Sequence, residues 1–90
     1  MIREDLIILS AEGCAPCEVL KKQAEGKIPV YDVTKQSEAT KLAMDMGITA
    51  VPTVLKREQG KWHKCNISYK GDKIVINCNG KDIDLKEQVE

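Results

Sequence analysis

Four consecutive apolar residues, Leu6-Ile7-Ile8-Leu9, constrain this chain more than any other feature. An apolar run of that length without polar alternation reads as a strand buried on both faces, the kind found in a parallel sheet covered by helices on either side. Residues 10–13 read as a loop. From Cys14 to Glu25 the residues Cys17, Leu20 and Ala24 recur at helical spacing, with Val19 beside them, and Gly26 stands where a helix would end. Residues 28–33, with Pro29 near their start, read as a second strand. Ser37 is expected to cap a second helix, in which Ala39, Leu42, Ala43 and Met46 follow the i, i+3, i+4, i+7 pattern and Gly47 marks the stop. The order is thus β-α-β-α, and short connections make the two strands parallel through a right-handed crossover.

Beyond Pro52 the pattern changes from helical to strand periodicity. Residues 53–57 read as a strand and Gln59-Gly60 as a turn. Residues 61–69 and 73–78 flank Gly71-Asp72, which suits a two-residue hairpin loop. That loop fixes the register: Tyr69 faces Ile74, Ile67 faces Ile76, and Cys65 faces Cys78. Those six residues then share one face, while Asn66, Ser68, Asn77 and the lone apolar Val75 share the other. A slip of one residue would invert the division, so the register is well specified. The tail has two readings. Asn79-Gly80 is itself a hairpin signal that would carry Ile83 and Leu85 into a further strand. Alternatively Asp82 or Asp84 caps a short helix with Leu85 and Val89 inward. The helix is preferred, because the sheet needs a cover where the crossover helices do not reach.

Composition narrows the function classes. With 90 residues, 42% of them hydrophobic and 31% charged, the chain fits one globular domain spanning residues 1–90. It has no Phe, so Ile, Leu, Val, Ala and Met must build the core. Fourteen basic residues balance 14 acidic ones without a run of one sign, which argues against nucleic acid or a membrane surface as partner. No segment resembles a secretion signal or a membrane span, so a cytoplasmic protein is expected. In a reducing compartment, four cysteines arranged as one close pair and two distant ones favour redox or metal chemistry over structural bridges.

The close pair is Cys14-Ala15-Pro16-Cys17, between a buried strand and a helix. Thiolate is the nucleophile of disulfide exchange, and the unsatisfied N–H groups and dipole of a helix N-terminus stabilise it. Cys14, at the helix start, gains most. Cys17 lies on the same face one turn deeper, placed to attack a mixed disulfide on Cys14 and release the reduced substrate. Pro16 is tolerated in the first turn, where its missing N–H has no helical partner. The same spacing also supplies half of a zinc site, so metal ligation stands as an alternative. A second element, Ala50-Val51-Pro52-Thr53, puts a proline at the start of a strand. A trans proline there is the ordinary case. A cis Val51-Pro52 bond would expose neighbouring backbone to a bound extended substrate.

Residues 6–57 resemble the thioredoxin superfamily: strand, Cys-x-x-Cys at a helix start, strand, helix and a Val-Pro-Thr segment. The resemblance implies an α/β thioredoxin-like fold, here with an extended C-terminal β-meander, and a cis Pro52 packed against the Cys14/Cys17 pair. Pro in the third place of the motif is similar to thioredoxins, whereas the small size is similar to glutaredoxins. Gly13 stands where thioredoxins place Trp, and Glu12 and Ala15 stand where glutaredoxins place Lys and Tyr.

The expected function is therefore thiol–disulfide exchange by Cys14 and Cys17 in a monomer with no bound cofactor or metal. Ala15, Pro16, Val51 and Pro52 are the expected substrate-binding residues. Disulfide-containing proteins or glutathione mixed disulfides are the expected substrates, with proteins preferred because the glutathione-contacting pattern is incomplete. A reductase or glutathione would donate the electrons. Two other readings remain: a metal or iron–sulfur cluster on Cys14 and Cys17, shared across a dimer, and a binding module that uses the Pro52 surface without turnover. Trp62 and Tyr69 are expected as core or half-buried packing, His63 and the Lys21-Lys22 pair as solvated. Cys65 and Cys78 form a possible second thiol pair, expected adjacent and reduced, with a cross-strand disulfide or a metal site including His63 as alternatives.

Overall fold

The computed structural model describes residues 2–24, 27–71 and 73–84. Among these residues two helices and six strands follow in the order β1 (Leu6–Ser10), α1 (Ala15–Gln23), β2 (Val30–Asp32), α2 (Ser37–Met46), β3 (Thr53–Glu58), β4 (Lys61–Lys70), β5 (Lys73–Cys78) and β6 (Lys81–Asp84). The strands form one mixed sheet in the order β2-β1-β3-β4-β5-β6. As the apolar run requires, β1 lies inside the sheet, parallel to β2 and antiparallel to β3. Ile7, Ile8 and Leu9 are fully buried. Among the described residues no helix is long and apolar enough to cross a membrane.

Alternation along the strands sorts the core into two layers. Ile8 and Val54 point to one face, where they meet Leu20 of α1 and its C-cap Ala24 together with Ile28, Cys65, Ile74, Ile76 and Cys78. Ile7, Leu9 and Leu55 point to the other, against Ala39 and Ala43 of α2, with Trp62 and Val51 packed alongside. Each helix thus covers its own face. Leu20 is fully buried, and truncating it to Ala would cost about 2–5 kcal/mol.

The C-terminal half is an antiparallel meander whose register agrees with the sequence pattern: Ile67 opposes Ile76, Tyr69 opposes Ile74, and Lys70 opposes Lys73 beside the turn. Asp72 lies outside the described residues. The preference for a helix in the tail is corrected. Asn79 and Gly80 both adopt positive φ (55° and 84°), the backbone that a tight two-residue hairpin demands and that Asn and Gly tolerate best. The chain therefore turns back as β6, with Ile83 opposite Ile76 and Asn77 Nδ2 donating to Asp82 Oδ1 at 2.7 Å. The cover on the α1 face comes instead from Ile74, Ile76 and Ile83 of the meander itself. Leu85 and Val89 lie outside the described residues, as does Gly26, the expected end of α1.

Smaller differences have local causes. The second strand is shorter than expected, Val30–Asp32. The N-cap of α2 is Gln36 rather than Ser37, without a side-chain capping bond. Gln36 Oε1 instead accepts the Asp32 N–H at 2.7 Å, tying the helix start to the end of β2. Tyr69, expected to pack, is 57% exposed, whereas Trp62 is half-buried with the Arg57 guanidinium 4.9 Å from its ring centre.

Candidate active site

The chain leaves β1 at Ser10 and re-enters regular structure at Ala15, with Cys14 as the N-cap of α1. Cys14 has extended backbone (φ −95°, ψ 106°), and its Sγ accepts the Cys17 N–H at 3.2 Å. A sulfur thus takes the capping place that Ser or Asp holds in other helices, where N–H groups and the dipole favour negative charge. Pro16 fits in this first turn. Gly13 precedes the cap with φ +79° and open space where a side chain would begin. Its requirement is conformational: left-handed backbone disfavours any bulky side chain there.

The two cysteines are joined as a disulfide with Cα atoms 5.2 Å apart, and they differ in access. Cys14 is half-buried, whereas Cys17 is fully buried beneath the first turn. From across the loop, the Val51 carbonyl oxygen lies 3.8 Å from Cys14 Sγ. The Val51-Pro52 bond is cis, and both residues are half-buried. Ala15 and Pro16 are exposed on the rim. The structure thus brings Cys14, Cys17 and Val51 together at the end of the sheet, with Ala15, Pro16 and Pro52 adjoining them in the chain.

A brace not foreseen in the sequence holds the loop before Cys14. Thr34 Oγ1 accepts the Glu12 N–H at 3.4 Å and donates to the Asp32 carboxylate, which also takes the Thr34 N–H at 2.7 Å. These bonds from Thr34 hold the Asp32 carboxyl below its ordinary range. The signal was the Asp-x-Thr spacing after a strand, a pattern in which the acid bonds the backbone two residues on. Lys35 and Glu12 form an exposed pair at 3.9 Å, which contributes little to stability.

Cys65 and Cys78 belong to a different region. Their Cα atoms are 4.5 Å apart, the separation of a non-hydrogen-bonded cross-strand pair, so the expected adjacency holds. Their expected reduced state does not: the sulfurs are bonded. Facing side chains at that separation are within bonding geometry without backbone movement. Both residues are buried in the α1-side core, 8% and 3% exposed. No protein-family model, curated protein or solved structure matches the chain.

Proposed function

We propose that this protein is a small thiol–disulfide oxidoreductase of the thioredoxin superfamily, with Cys14 as the attacking thiol and Cys17 as the resolving thiol. One observation carries the reading: an accessible cysteine caps a helix N-terminus while its disulfide partner, one turn on, is fully buried. In the reduced state the Cys17 N–H and the helix dipole stabilise a Cys14 thiolate, which attacks a substrate disulfide and displaces one thiolate. Cys17 then attacks Cys14 Sγ, releases the second substrate thiol and leaves the Cys14–Cys17 disulfide. Two electrons pass to the substrate, and an external dithiol restores the protein. No cofactor is needed for this exchange.

The thioredoxin-like reading of the fold has support from the sheet order β2-β1-β3-β4, from helices on opposite faces and from the cis Val51-Pro52 bond. The meander beyond β4 is this chain's own addition. Protein disulfides are the favoured substrates. Residues 66–70 of β4 pair with β5 and run past the start of β3, at the sheet end that holds Pro52 and Cys14. Exposed Tyr69 lies on that overhang. It offers an aromatic contact to a polypeptide that extends beyond its disulfide, out of reach of a small thiol.

The test is parallel reduction of a protein disulfide and a glutathione mixed disulfide by the wild type and each cysteine variant. Turnover of the protein disulfide that disappears in Cys14→Ser supports the reading. Absence of turnover on both substrates sinks it, as does equal turnover by Cys14→Ser.

A further inference from the structure

Ser10 is the only buried polar residue among the described residues. It is 1% exposed, and its Oγ has no hydrogen-bond partner. An unpaired buried hydroxyl costs about 1–3 kcal/mol, which Ala at this strand position would avoid.

Its placement suggests where the partner comes from. Ile8 points toward α1 and Leu9 toward α2, so alternation puts Ser10 on the α1 face at the last position of β1. Ile8 of β1 and Leu20 of α1 belong to the same core cluster, so the helix that follows β1 packs back over this face. Ser10, the last residue of β1, and Cys17, in the first turn of α1, therefore both lie at the end of the sheet where strand passes to helix. Cys17 is fully buried yet belongs to neither apolar cluster, which fits a polar neighbour.

We propose that Ser10 is a positioning residue for the dithiol: its hydroxyl pairs with the Cys17 sulfur once the Cys14–Cys17 disulfide is opened. The inference rests on the dithiol reading above. In the oxidised form, the one described here, Cys17 Sγ is bonded to Cys14 and Ser10 Oγ is unpaired. After reduction, Ser10 accepts from the Cys17 thiol, or donates to the thiolate after its proton has left to water. Burial opposes a thiolate at Cys17, and the hydroxyl offsets part of that penalty. The thiolate then forms the bond to Cys14 Sγ as the Cys14–substrate bond breaks, and the substrate thiolate leaves. Ser10 keeps its own proton throughout.

The experiment uses the full chain, reduced and mixed with an aromatic disulfide whose thiolate absorbs visibly. A first phase reports attack by Cys14 and a second reports resolution by Cys17. In Ser10→Ala the second phase should slow about tenfold at neutral pH, and its pH profile should move up by about one unit. The first phase and the thermal stability should stay within twofold and at or above wild type respectively. The Cys17 13Cβ resonance should titrate at correspondingly higher pH. Superposable second-phase profiles, or equal slowing of both phases, overturn the proposal. A wild type that shows no second phase overturns the dithiol reading itself, and this inference with it.

Discussion

The two cysteine pairs are chemically the same bond in different surroundings. Cys14–Cys17 closes a loop of sequence separation 3 at a helix N-terminus, with one sulfur reachable from solvent. Cys65–Cys78 joins two neighbouring strands at separation 13, with both residues buried among Ile8, Val54, Ile74 and Ile76. The first sits where the backbone offers unsatisfied N–H groups and an approach path. The second sits where the ladder satisfies the backbone and side chains exclude reactants. On the proposed function, access and local field suit the first pair to exchange, and their absence suits the second to a structural bond. The staple's position matters to the first pair, because β4 and β5 supply much of the core beneath α1.

The largest effect should come from the reaction centre. Cys14→Ser should abolish exchange activity, and Cys17→Ser should accumulate a stable mixed disulfide between Cys14 and substrate, seen by mass spectrometry. The reverse trapping pattern would exchange the two roles.

Removing the staple tests the other side of the comparison. A Cys65→Ala/Cys78→Ala variant should lose about 3 kcal/mol of stability, the chain-entropy value for a loop of this size, measured by urea unfolding. Activity per folded molecule should remain. A loss of activity without a loss of stability would mean that the buried pair takes part in exchange.

Stepwise reduction sharpens the distinction further. Under limiting dithiol in native buffer, alkylation followed by peptide mapping should label Cys14 and Cys17 well before Cys65 and Cys78. Simultaneous labelling would show that burial does not protect the staple.

The smallest effect concerns the brace behind Cys14. The Asp32 carboxyl is held below its ordinary value by Thr34, so its contribution is complete above the unfolded Asp value of about 3.9. It is lost as pH falls through the lowered folded value. Amide exchange at Glu12 and Thr34 should therefore rise as pH falls below that unfolded value. Asp32→Asn should remove that step, and a step of unchanged size in the variant would assign it to another group.

Where the signal is local, the residues foretold the structure well. The unbroken run Leu6-Ile7-Ile8-Leu9 gave a strand covered on both faces, and the alternation from Cys65 to Cys78 gave the hairpin register residue by residue. Period-2 and 3.6-residue patterns are properties of the backbone itself, so they can be read before any tertiary contact exists. Cys14 at the helix start was legible for the same reason: a cap is defined within one turn.

Other features depended on elements distant in sequence. Asn79-Gly80 carried the hairpin signal, yet the choice between strand and helix turned on what covers the sheet beyond the crossover helices, and there Ile74, Ile76 and Ile83 of the meander join the α1-side core. Tyr69 continues the apolar face of β4 but runs past the sheet that could bury it. The adjacency of Cys65 and Cys78 was legible in the register, but their expected reduced state rested on a reducing compartment, which neither strand's residues fix, and the sulfurs are bonded. Ser10 reads in sequence as the first residue of a loop, whereas the structure makes it the last residue of β1. Only the packing of α1 over β1 leaves its hydroxyl buried and without a partner. Sequence periodicity determined which residues share a face of each element. Tertiary structure decided which faces meet, because burial and pairing depend on segments brought together only when the chain closes on itself.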